Sequence, residues 1–193
     1  MDIWQVAMAI LMGFSLAATC GLRAFLPLLI IGIASKAGFV DLAAGFDWMG
    51  SWTALACFGA ATVIEILADK IPAVDHVLDA SGVFVRPIAG AIAASSLISG
   101  MDPLMGLVVG IIVGGTIAGI VQIIKGGIRL LSTGVTCGIA NPLVSAIEDS
   151  AAVVTGIAGI FVPLLAGLAV IAVLVYFFRK VRKKNFFKKA EGS

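Results

Sequence analysis

The stretch PLMGLVVGIIVGGTIAGIVQII, residues 103–124, runs from a proline to the last aliphatic residue before Lys125 without one charged side chain. A helix needs about 20 predominantly apolar residues to cross the hydrocarbon core of a bilayer, and this stretch supplies them. Gly106, Gly110, Gly114 and Ala118 recur every four residues along it, so small side chains line one face and let a second helix approach closely. That stripe is read as packing, within a protomer or between protomers.

Outward from this span, residues 51–68, 87–99 and 152–178 carry the same reading, the second short enough to need a thin or buried setting. Two more apolar stretches, 3–34 and 130–147, are interrupted by Gly, Pro and polar residues. Composition agrees: 61% of the 193 residues are hydrophobic and 12% charged, against about 25% charged in a water-soluble domain. The mean hydropathy is +1.15. The expected fold class is an all-α, polytopic transmembrane helix bundle of about six membrane elements, two of them interrupted as crossing or re-entrant segments. Residues 1–178 form a single transmembrane domain and residues 179–193 a basic tail. The first residues carry no Lys or Arg before the apolar run, so they read as part of the first membrane element rather than as a cleaved signal.

The tail from Arg179 to Lys189 holds seven of the thirteen basic residues directly after the last span. The positive-inside rule places it in the cytoplasm, where it also suits anionic lipid headgroups. Asp41 and Asp47 with Trp48 and Trp52 suit the outer interface, although Lys36 just before them points the other way. Lys70, Arg86, Lys125 and Arg129 flank loops that suit the inside. Six crossings then put both termini in the cytoplasm, in a multi-pass protein of the inner membrane. Cys20, Cys57 and Cys137 all fall in apolar segments with no CxxC spacing, which fits buried small hydrophobes better than a disulfide framework or zinc site.

The interrupted elements share wording. Thr19-Cys20-Gly21-Leu22-Arg23-Ala24-Phe25-Leu26-Pro27-Leu28 is matched by Thr136-Cys137-Gly138-Ile139-Ala140-Asn141-Pro142-Leu143 with a two-residue gap. Gly21 and Pro27, and Gly138 and Pro142, mark expected helix breaks at membrane depth. Paired interruptions of this kind point to an internal repeat and a binding site between the broken ends, while simple proline kinks that shape packing remain the alternative.

Charges inside apolar segments carry the functional argument. Arg23 cannot deprotonate, so at depth it needs a partner. Glu65, Asp69, Glu148 and Asp149 are the candidates, with Glu65 first because it lies deeper in its span. Residues 65–79 gather Glu65, Asp69, Asp75 and Asp79 with Lys70 and the only histidine, His76. That set suits a proton relay or a divalent cation, or a solvated loop. Ser145, Glu148 and Asp149 share a helical face beside Asn141 and the second break.

Together, Gly21 to Leu28, Glu65 to Pro72 with Asp75, His76 and Asp79, Arg86-Pro87, Ser132-Thr133-Gly134, and Asn141-Pro142 with Glu148-Asp149 resemble the bacterial membrane family called domain of unknown function 4126. The resemblance covers most of the chain to about Thr155 and implies a small polytopic inner-membrane protein. Gly21 to Pro27 is also similar to a segment of the undecaprenyl-diphosphate phosphatase family, built from re-entrant repeats. That family's following serine-rich stretch and histidine are missing here, and Cys20 replaces its acid.

The expected function is a small transporter or channel-like protein, homo-oligomeric, with a polar site between the two breaks. The alternatives are an enzyme or flippase handling a phosphate-bearing lipid, and a structural or assembly subunit. The bilayer is the expected partner. No cofactor and no nucleic acid is called for.

Overall fold

The computed structural model describes residues 3–190 apart from 100–101 and 137–138, and leaves out the side chains of residues 3, 72–79 and 181–190. Among the described residues the fold is all helix, without a strand: α1 (Ile3–Leu22), α2 (Phe25–Lys36), α3 (Trp52–Ala68), α4 (Pro72–Leu97), α5 (Pro103–Thr136), α6 (Asn141–Phe161) and α7 (Pro163–Ala190). Five of these, α1, α4, α5, α6 and α7, are long and apolar enough to cross a membrane, and α2 and α3 are shorter apolar helices. The outer surface is studded with exposed Ile, Leu, Val and Phe, as a bilayer requires and water penalises. The protein is a multi-pass membrane protein.

Five of the six prolines sit in the first turn of a helix: Pro27 in α2, Pro72 in α4, Pro103 in α5, Pro142 in α6 and Pro163 in α7. The first-turn N–H groups have no intrahelical acceptor, so a missing one loses nothing there. The starts are reinforced locally. Ser51 Oγ accepts the Ala54 N–H at 3.1 Å before α3, and Asp102 Oδ1 accepts from Leu104 and Met105 before α5. Only Pro87 lies inside a helix.

This placement revises three sequence expectations. Residues 152–178 are not one span: α6 ends at Phe161, and the chain reverses at Val162 into α7. Residues 130–147 are not one broken element either, because α5 continues to Thr136 and α6 begins at Asn141; Cys137 and Gly138 lie outside the described residues. The first break is real, but it falls at Arg23 and Ala24, with Pro27 already inside α2.

Neighbour pairs fix the directions. Thr19 meets Thr155, and Ser15 lies against Gly159, so α1 and α6 run antiparallel. Leu11 packs on Gly167, while Val170 and Leu174 pack on the cluster that holds Ala17 and Ala18 with Ala94 and Ile117, so α7 runs parallel to α1. The start of α1 and the end of α7 therefore lie at opposite ends of the bundle. The physical reason is the reversal at Arg23: α2 rises beside α1 instead of extending it, and Phe39 beyond α2 stacks edge-on against Phe161 at 5.4 Å.

The small-residue stripe of α5 packs inside the protomer. A methyl on Gly90 of α4 would meet Gly114 O at 2.7 Å, and one on Gly21 of α1 would meet Ala118 O at 2.6 Å. Gly21 is thus a contact position rather than a hinge. Around this crossing α5 widens into one π-helical turn, Gly110–Gly115.

Candidate functional site

Five segments bring charge to one end of the bundle. Arg23 sits where α1 turns into α2. Glu65 and Asp69, four residues apart, share a face of α3 and its end. Arg86 comes from α4, Lys125 and Arg129 from α5, and Glu148 and Asp149 from α6. Arg23, Arg86, Lys125 and Arg129 are all at most 4% exposed. Among the described residues, four buried cations thus face four carboxylates in the interior of an apolar bundle. From Glu148 to Phe161 the distance along α6 is about 20 Å at 1.5 Å per residue, which sets the network well below the end that carries Trp48 and Trp52.

Asp69 is its hub. Its Oδ2 lies 2.6 Å from Arg23 Nη1, 2.9 Å from Arg129 Nη2 and 3.9 Å from Lys125 Nζ. Glu148 joins the same cations, with Oε2 2.8 Å from Arg129 Nη2 and 3.3 Å from Lys125 Nζ. Lys125 also donates to Leu22 O, the open carbonyl end of α1, at 3.2 Å, where a cation suits the helix dipole. The second arm of Arg23 pairs with Asp149 and donates to Ser145 Oγ at 3.1 Å. Lys70, at the exposed rim, reaches Asp149 Oδ2 at 3.3 Å.

Glu65 does something different. Its Oε1 accepts the Ala24 N–H at 3.1 Å and its Oε2 the Phe25 N–H at 3.4 Å. A carboxylate from α3 therefore caps the start of α2, whose first amides have no intrahelical acceptor. Arg23 touches Glu65 only at its main-chain carbonyl, at 3.3 Å. The acid ranked first as partner for Arg23 is therefore displaced by Asp69 and Asp149, because the open helix end claims its carboxylate. Arg86 stands beside it, Nη2 to Oε1 at 3.8 Å, and its Nη1 donates to Gln122.

Between α3 and α4, a cavity of about 250 Å³ ends on Glu65 and Arg86. Phe25, Ala61, Ile64 and Val85 form its apolar walls. Among the described residues no group of three or more His, Cys, Asp or Glu is placed to hold a metal ion.

Of the expected site residues, Arg23, Glu65, Asp69, Lys70, Glu148 and Asp149 converge. Asn141 does not join them: its amide donates to Thr133 Oγ1 at 3.0 Å and ties the end of α5 to the start of α6. The side chains of Asp75, His76 and Asp79 lie outside the described residues. Lys125, Arg129 and Arg86 were read as loop flanks, yet they are buried members. The signal was available, since Gln122, Lys125 and Arg129 recur at three and four residues on one face of an apolar helix.

The chain matches the family described as "Domain of unknown function (DUF4126)" over residues 10–183. It belongs to that family. No curated protein and no solved structure matches it. The match runs through every helix that contributes a charge to the network, and it reaches into the basic end of α7, well past Thr155. No matched protein supports the expected similarity of Gly21 to Pro27 to the undecaprenyl-diphosphate phosphatase segment.

Proposed function

We propose that this DUF4126 protein is a small membrane transporter whose working site is the buried network around Asp69 and Glu65. The observation that carries this reading is the convergence, among the described residues, of eight charged side chains from five segments at one level of an apolar bundle. Ionisable residues inside a membrane are rare and mark ion, proton or substrate pathways. Helix packing alone does not call for them here, because Gly21, Gly90 and Gly114 already bring the helices into close contact. Buried ion pairs also add little net stability over apolar residues of similar volume.

The basic end of α7 orients the protein with its tail in the cytoplasm of a bacterial inner membrane and the start of α1 outside. The network then lies in the cytoplasmic half of a core about 30 Å thick. The tail suits anionic headgroups there. Arg23 and the open start of α2 form the broken-helix element at which membrane transporters bind charged cargo.

A purely structural role has one observation in its favour: every carboxylate of the network already has a cation within 4 Å. Reconstitution separates the two. Liposomes holding the full chain should move protons or ions under an imposed gradient, and Arg23→Met should abolish the flux. A folded, reconstituted protein that is silent under proton, cation and anion gradients would leave the structural role.

A further inference from the structure

Helix α5 is longer than a bilayer is thick: its 34 residues give about 51 Å at 1.5 Å per residue, against about 30 Å of hydrocarbon. Contacts with its neighbours show where the excess lies. Leu11 of α1 packs on Gly167 of the parallel helix α7, so Arg23 and Arg179, equally far along the two helices, stand at one height. Tyr176 and Phe178 are exposed beside Arg179, and this aromatic and basic edge marks the inner boundary of the hydrocarbon. Trp4, exposed on α1, stands about 28 Å away toward the outside, the thickness of the core. Gly21 lies against Ala118 and Val121 of α5, which puts Gln122 near the height of Arg23. Leu130, Leu131 and Val135 then fall about 12–20 Å beyond the boundary, and headgroups fill only about 5–7 Å of that. Yet these three side chains are 74%, 72% and 85% exposed. An apolar patch of this kind outside the hydrocarbon marks a surface that something covers.

The same face of α5 carries a second signal. On the regular helix Thr116–Thr136, Thr116, Ile120, Ile123, Gly127 and Leu130 recur at alternating intervals of four and three. That is the 3.5-residue period with which two helices wind around each other. The stripe is open: Ile120 is half-buried and the other four are exposed, and a methyl built on Gly127 would meet nothing within 4 Å. Lys125 and Arg129 point the opposite way, into the network, so the stripe bears no charge. We propose that α5 pairs along this stripe with α5 of a second copy of the protein, about a two-fold axis along the membrane normal. The stripe runs across the inner boundary, so its cover must cross that boundary as well. A second copy inserted in the same orientation presents the same stripe, parallel and at the same height, and each residue meets its own counterpart. Gly127 lets the two backbones approach. Leu130, beyond the headgroups, is withdrawn from water, and no like charges are brought together. Each protomer keeps its own network, facing away from the seam. The pairing goes beyond the transport reading and does not depend on it.

The test is carried out on the full chain in liposomes at low protein density, first by disulfide cross-linking in a cysteine-free background. Gly127→Cys and Leu130→Cys should give linked dimers on mild oxidation. Ile128→Cys, exposed on the flank of the same helix, should give about tenfold less, because its Cβ atoms lie too far apart across the pair. Photobleaching of singly labelled, unaltered protein should count two steps per spot. Leu130→Glu sets two like charges against each other and should lower the dimer fraction at least about tenfold. Its thermal midpoint in detergent should stay where it was, because Leu130 is exposed in the protomer. Mixing Leu130→Glu with Leu130→Lys, each carrying its own tag, should restore pairing between the two variants. One-step bleaching of the unaltered protein, cross-linking at Ile128 equal to that at Leu130, or a dimer indifferent to Leu130→Glu overturns the proposal. So does a fluorophore on Val135→Cys that is quenched by lipid-borne quencher as strongly as one within the hydrocarbon, which would give the patch to the bilayer. A dimer that behaves as described but shows no flux upholds the pairing and counts against the transport reading alone.

Discussion

Arg23 and Asp69 meet at 2.6 Å with both side chains fully buried, across 46 residues of sequence and between the α1–α2 turn and the end of α3. Neither has water to fall back on. Asp69 is also shared with Arg129 and Lys125, so its loss takes a contact from three cations and leaves them to Glu148 and Asp149, whereas the loss of Arg23 leaves two others on the acid.

Asp69→Asn should therefore destabilise more than Arg23→Met. Breaking a buried pair from one side typically costs roughly 3–5 kcal/mol, and the double variant should lose less than the sum of the singles. Thermal unfolding in detergent measures all three. Strict additivity would show that the two residues do not interact. Arg23→Lys should behave nearly as badly as Arg23→Met, since an ammonium cannot span Asp69 and Asp149 at once.

Glu65 acts first on a helix end. Glu65→Ala should destabilise by about 1–2 kcal/mol, as loss of a capping acceptor does, and should speed amide exchange at Ala24 and Phe25 specifically. Glu65→Gln keeps one acceptor oxygen and should lose about half as much. Unchanged exchange at those two amides in Glu65→Ala would rule the cap out.

How much of this was legible in the sequence depends on what each signal can carry. Membrane insertion was plain, because residues 103–124 leave a charge-free run no other reading accommodates. The need of Arg23 for an acid was legible from the cost of a lone guanidinium, but the choice of acid was not. Distance along α3 ranks Glu65 deepest, whereas the choice turned on the open start of α2, whose place appears only in three dimensions. Proline was read as a breaker at residues 27 and 142, and residue 163 was placed within the single span 152–178, because the sequence does not distinguish a proline that kinks a span from one that begins a new helix. Those prolines changed how the apolar stretches divide into helices. Lys125 and Arg129 were hidden by proximity to Gly126 and Gly127, which look like a loop but lie within α5.

Glycines of α5 should separate by position. Gly114→Ala drives a methyl into Gly90 O of α4 and should destabilise by about 1–3 kcal/mol, as overpacking does. Gly134 has open space around it, so Gly134→Ala should stabilise by up to about 1 kcal/mol through helix propensity alone. Thermal midpoints of the two variants should move in opposite directions.

The directions of α1 and α7 set the sidedness of the termini. In a cysteine-free background, single cysteines placed at Trp4 and at Lys188 should label from opposite sides of intact spheroplasts, with Lys188→Cys reacting only after permeabilisation. Labelling of both from the same side would contradict the parallel course of these two helices.

The central claim, that the buried charges work rather than merely hold, is tested most directly by ion flux. Proteoliposomes carrying the full chain and an internal pH dye are placed under an imposed proton gradient. The account predicts dye quenching by the unaltered protein that is lost in Arg23→Met and in Glu65→Gln, both reconstituted to equal density. Quenching absent from the unaltered protein, or retained in both variants, would contradict it.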